Sequence, residues 1–131
     1  MKKLLAVLAL IAVGLTADPR LNQIITVAAG TPVRLSSTHL YVTDITFQMA
    51  TASSGGIGYV CIVSFTTTPA GACATAGQLA VELSAGTATV PGTPFTLTAS
   101  QKQGPGIDLG TIWIDGAHTA DTVIVTYNQQ N

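Results

Sequence analysis

From Gln23 onward, apolar residues recur at every second position in short runs, broken by glycine, proline, serine and threonine. A period of two marks a half-buried strand. It predicts strands near 23–28, 32–36, 40–49, 57–66, 78–84, 94–99, 111–115 and 121–127. No segment of this region carries a helical period. Eight short strands with turn residues between them predict an all-β domain, a single jelly-roll-like β-sandwich over 21–131.

Two runs carry finer detail. Leu40 and Val42 share one parity, and Ile45, Phe47 and Met49 share the other. A one-residue bulge at Thr43–Asp44 restores a single inward face and leaves Asp44 at the bend, outside the core. Near the end, Ile112 and Ile114 point one way and Trp113 the other, while Val123, Val125 and Tyr127 share a face. These two runs read as a final hairpin whose connection, "DGAHTAD", is too long for a two-residue turn. Gly-Thr-Pro occurs twice, in "TVAAGTPVRLSS" at 26–37 and "TVPGTPFTLTAS" at 89–100. Either two halves of a sandwich are related, or the tripeptide is a generic turn before an edge strand. Proline has no N–H to donate, so Pro32 and Pro94 mark strand starts or edges.

Residues 1–20 follow another rule. Lys2 and Lys3 precede an unbroken apolar run from Leu4 to Leu15. Its length suits a signal peptide, and Ala17 suits a cleavage site, but Leu15 two positions earlier is not small. As a helix the run spans about 18 Å at 1.5 Å per residue, short of a bilayer core of about 30 Å. Such a helix is apolar all round and needs burial all round. The expectation is an apolar N-terminal arm retained in the working protein. A cleaved signal and an uncleaved membrane-associated segment are the competing readings.

Composition sharpens the surface. Only 8% of the residues are charged, against about 25% in an average soluble domain. A sparse charge shell protects poorly against association, so much of the surface is expected to be covered by neighbours. Beyond Ala17, Arg20, Arg34 and Lys102 stand against Asp18, Asp44, Glu82, Asp108, Asp115 and Asp121, a net charge of −3. Without a basic stripe, direct nucleic-acid binding is not expected. No apolar run reaches about 18 residues, so no ordinary transmembrane helix is expected either. The two cysteines, Cys61 and Cys73, make no C-x-x-C pair and no zinc set. Cys61 reads as a buried small hydrophobe or as half of a 61–73 disulfide. The sequence does not fix the Cα approach that such a bond needs.

Candidate chemistry is thin. His39 has Ser36, Ser37 and Asp44 nearby in sequence, without a nucleophile-elbow motif. His118 lies between Asp115 and Asp121, which would allow a His/Asp/Asp metal set. A calcium loop needs a denser run of oxygen ligands, so the plain reading is a solvated turn. "SSGGIG" at 53–58 lacks the Lys-Ser/Thr of a phosphate loop and leads into a strand. "QGPG" at 103–106 reads as a turn. Glu82 is the single glutamate, with no aspartate placed opposite it for paired-carboxylate chemistry. No enzyme, metal or cofactor is expected.

The C-terminal half has a recognisable shape. "GIGYVCI", "PGTPFTLTA" and "IDLGTIWIDGAHTADTVIVTY" together resemble small virion β-sandwich proteins of tailed bacteriophages. Asp108, Leu109, Ile112, Trp113, Ile114, Asp115, Gly116, Asp121, Val123, Val125 and Tyr127 carry the match to their last element, and "ITVAAGTPVRLS" resembles their opening strands. The longer 66–90 segment and residues 1–19 depart from that pattern. The resemblance implies a capsid decoration (cement) protein, or a related head, tail or fibre part, located on the virion. The implied partners are the major capsid protein or other virion subunits, and further copies of the chain, with a cyclic trimer as the first expectation. Leu4, Leu5, Leu8, Ile11 and Leu15 then become the candidate assembly contacts. The alternative is a secreted, periplasmic or surface-exposed binding module with a cleaved signal and a closed Cys61–Cys73 bond.

Overall fold

A computed structural model describes residues 20–50, 57–69, 71, 73, 79–87, 89–100 and 104–129. The strands are β1 (Arg20–Thr26), β2 (Val33–Arg34), β3 (Tyr41–Met49), β4 (Gly58–Ile62), β5 (Leu79–Leu83), β6 (Phe95–Thr98), β7 (Ile107–Asp108), β8 (Ile112–Gly116) and β9 (Thr122–Gln129). A 3₁₀ turn, Leu109–Thr111, separates β7 from β8. All pairings are antiparallel. Sheet I runs β1-β9-β3-β6, with β7 also on β3, and sheet II runs β2-β8-β4-β5.

The two sheets share one core, an arrangement consistent with a β-sandwich. Sheet I contributes Val42, Ile45, Phe47, Met49, Val123 and Val125, and sheet II contributes Val60, Leu83, Ile112 and Ile114. Period-two alternation explains the set. In β3 the buried positions are 42, 45, 47 and 49, so the phase slips once. The slip is a register shift between Val42 and Asp44 against β9, where the bulge was expected. Asp44 sits at that bend, half-buried, and accepts from Asn128 Nδ2 at 2.8 and 2.7 Å.

The prolines also fall where their missing N–H does least harm. β2 and β6 begin immediately after Pro32 and Thr93–Pro94, and each is an edge of its sheet. The two Gly-Thr-Pro glycines do different jobs, which favours a generic turn over repeated halves. Gly30 has φ +70. Gly92 lies against the carbonyl of Ser84, where a Cβ would come within 2.1 Å.

Three expectations change. The final hairpin does not form: β8 pairs with β2 and β4, and β9 pairs with β1 and β3. Residues 117–121 therefore cross from one sheet to the other. The strand expected over 57–66 stops at Ile62, because Thr67 N donates to Ser64 O at 2.8 Å and turns the chain. β7 was not foreseen, since a two-residue strand leaves no alternation to read.

Candidate functional site

The outward face of sheet II begins with a contradiction. Trp113 and Asp115 occupy the phase opposite Ile112 and Ile114, which should face water. Yet Asp115 is 0% exposed. Cys61 stands opposite Trp113 in the β4–β8 register and is also fully buried. What covers them is the segment that follows β4. Cys61 and Cys73 are joined, with Cα atoms 5.6 Å apart. The Cys73 amide donates to Asp115 Oδ2 at 3.0 Å, and Asp115 Oδ1 accepts from Gly30 at 3.1 Å and Gly116 at 2.8 Å. One carboxylate thus ties three backbone segments together. Charge-assisted bonds to amides are the stronger kind.

Arg34 holds the near end of the same segment. Its Nη2 donates to the carbonyls of Phe65, at 3.0 Å, and Thr67, at 3.3 Å. Its guanidinium lies 4.5 Å from the Trp113 ring centre and 5.2 Å from that of Phe65. His39 stacks on Phe65 at 3.8 Å and lies near-parallel to Tyr41 at 6.2 Å. Its Nδ1 meets Asp108 Oδ2 at 2.5 Å, while Asp108 Oδ1 accepts from Gly110 N at 2.9 Å. A Cβ on Gly110 would strike the Phe65 ring at 2.5 Å, so glycine lets the ring lie flat against this turn. Trp113, Arg34, Phe65, His39 and Tyr41 are linked by successive ring and guanidinium contacts. Planar stacking on a guanidinium suits Arg and not Lys.

The polar groups singled out in the sequence are mostly engaged in holding the chain. His39 pairs with Asp108, far away in sequence, and not with Asp44. Ser36 Oγ donates to Thr38 O at 2.7 Å. His118 N donates to Asp121 Oδ2 at 3.0 Å, closing the crossing turn, and Asp115 is committed to its three amides. Of the His/Asp/Asp set, His118 and Asp121 close the turn, and Asp115 anchors backbone elsewhere. Glu82 is exposed, opposite Tyr59. Gly104 and Gly106 take φ +123 and +114 in a turn beside a shallow polar cleft of about 250 Å³. Residues 51–56 of the first glycine-rich stretch lie outside the described residues, as do Leu4, Leu5, Leu8, Ile11 and Leu15.

The outward face of sheet I is different in kind. Thr46 stands opposite Thr126 on β9 and Thr96 on β6, with Thr46 Oγ1 2.8 Å from Thr96 Oγ1. Ile24 on β1 stands opposite Ile124 on β9 and is 72% exposed. The register places three charged residues on this face, all toward one end: Asp44, held by Asn128, Asp108, opposite Tyr41 and paired with His39, and Arg20, opposite Asn128. Away from that end, threonine rows and an isoleucine pair make a surface without charge. Hydrophobic periodicity signalled which residues point outward but not that threonines and isoleucines from four strands line up while the charges gather at one end, since that depends on pairing.

No family model, no curated protein and no solved structure matches the chain.

Proposed function

We propose that the chain is a structural virion protein of a bacteriophage, a decoration (cement) protein that bridges shell subunits through non-covalent contacts and has no catalytic role. The observation that carries this reading is the strand order. β1-β9-β3-β6 and β2-β8-β4-β5, with the chain passing repeatedly between sheets, supports the jelly-roll reading, an architecture used by viral capsid domains as well as by lectins and cupins. The "IDLGTIWIDGAHTADTVIVTY" element supplies β7, β8 and β9, so the residues that carry the virion resemblance form an inner strand of each sheet. The charge-poor face of sheet I suits contact with protein neighbours. A protein of this kind acts by binding the assembled shell better than its parts, which shifts assembly by mass action. The apolar stretch ahead of β1 acts as the arm that fastens it, with Arg20 belonging to the sheet.

Fold does not fix function, and one observation favours a second reading. The Cys61–Cys73 bond belongs to an oxidising compartment. It suits a secreted or surface-exposed binding module as well as a particle that meets the medium after lysis. The intact mass of the chain from gradient-purified particles separates the two. The virion reading expects the full chain, less two hydrogens for the disulfide, at a fixed ratio to the shell subunit. A chain found only in the medium, beginning near Asp18 and absent from particles, overturns it.

A further inference from the structure

We infer that β1 is a docking edge for a second copy of this chain, two β1 strands pairing antiparallel about a two-fold axis at Ile24. The inference does not rest on the virion reading; it rests on how the sheet edges differ. An edge strand offers a row of unpaired N–H and C=O groups, and proteins normally blunt it with shortness, proline, charge or a bulge. β2 has two residues and follows Pro32. β6 has four and follows Pro94. β5 carries a register shift in its pairing with β4. β1 has seven residues, in unbroken register with β9 from Arg20↔Asn128 to Thr26↔Thr122, and its sequence RLNQIIT holds no proline and one charge. It is the edge left open among the described strands.

The occupant follows from self-complementarity. A strand that pairs with its own copy requires a two-fold axis, and each contact then occurs twice. With the axis at Ile24, Asn22 falls opposite Thr26 and Gln23 opposite Ile25, so no charged residue faces a like charge. Ile24, the most exposed of the large apolar residues described, falls opposite Ile24 of the second copy. Because Ile124 already stands beside it on β9, the joined sheet carries four isoleucines in one row, two from each copy. Cross-strand pairs of β-branched residues are favourable contacts in a sheet. A single pair of strands is a small interface beside the standard of about 1,600 Å², so the dimer is expected to form at micromolar concentration and above.

Sedimentation equilibrium of the full chain from about 1 to 200 µM, with dissociation constants of about 1–100 µM in view, tests the idea. The expected result is a monomer–dimer equilibrium that Ile24→Lys weakens at least about 100-fold, with far-UV circular dichroism and melting temperature unchanged. Val90→Lys, at a 58% exposed site off this strand, should leave the equilibrium as it was. Ile24→Cys adds a position-specific readout: mild oxidation should give a 24–24 linked dimer on peptide mapping, and Val90→Cys should not. A monomer at about 200 µM overturns the inference, and so does a three-copy mass with no 24–24 link. Either result can occur with the virion reading intact.

Discussion

Gly92 lies where two backbones meet, and a methyl group has no room there. A Cβ would sit 2.1 Å from Ser84 O and 3.1 Å from Met49 Cβ. Gly58 is crowded too, but mainly by the sulfur of Met49 at 2.4 Å, the end of a side chain that can swing. Gly92→Ala should therefore cost about 2–3 kcal/mol and Gly58→Ala about 1 kcal/mol, read as separate shifts of the urea midpoint at constant slope. Asp115 is the other residue on which much depends. Asp115→Ala leaves the amides of Gly30, Cys73 and Gly116 without their acceptor. The Cys73 and Gly116 amides are buried and the exposed Gly30 can turn to water, so at about 1–3 kcal/mol per orphaned buried amide the expected loss is about 2–5 kcal/mol. Asp115→Asn should lose less, because one oxygen can still serve Gly30 and Gly116 while its amide opposes the Cys73 N–H. Equal losses for the two variants would show that the amides rehydrate freely. Nothing in the alternation of β8 announces this role. By phase Asp115 points outward, and only the folded-back segment after β4 turns it into a buried anchor.

At the level of elements, that segment depends on the covalent bond and the Arg34 stack together. A disulfide closing a sequence separation of 12 residues is worth about 3 kcal/mol in the chain-entropy model. Reduction, or Cys61→Ala with Cys73→Ala, should lower stability by about that much. It should also loosen the cover over Trp113, seen as a red shift of its emission under native conditions. An unchanged emission maximum would mean that Arg34 alone keeps Phe65 and Trp113 in place. The strands themselves were largely readable, each for a physical reason. A buried inward face forces period two, so β3, β8 and β9 declare their phase, and the bulge in β3 declares itself as a slip in that phase. Pro32 and Pro94 declare edges because a missing N–H is tolerated there. Pairing is another matter. Two amphipathic runs joined by a short polar link look alike whether they lie side by side or face each other across the core. That is why β8 and β9 read as a hairpin and are instead one strand of each sheet. The His39–Asp108 pair and the threonine rows share that cause, since both are made by long-range pairing.

The whole molecule is woven so that neither sheet can form without the other. Sheet I draws strands from both ends and the middle of the domain, sheet II takes the stretches between, and the core cluster from Ile25 to Val125 belongs to both. Such interleaving predicts one cooperative transition, with Trp113 fluorescence and far-UV circular dichroism coinciding. Among the described residues, the strands begin at Arg20 and the members of the core cluster lie at or beyond Ile25. If the stretch ahead of β1 is the arm proposed above, its work is done on a neighbour and not in this core. Deletion of residues 2–17 should then leave the melting temperature within about 2 °C, a shift of less than about 1 kcal/mol for a domain of this size. It should also remove the chain from purified particles, as counted by quantitative mass spectrometry against the shell subunit. Incorporation at the full-length level would end the arm proposal and place the attachment on the sheets. The threonine rows of sheet I would then be the first surface to mutate, with Thr46→Lys and Thr96→Lys the most direct way to make it repel a neighbour while the inward faces stay untouched.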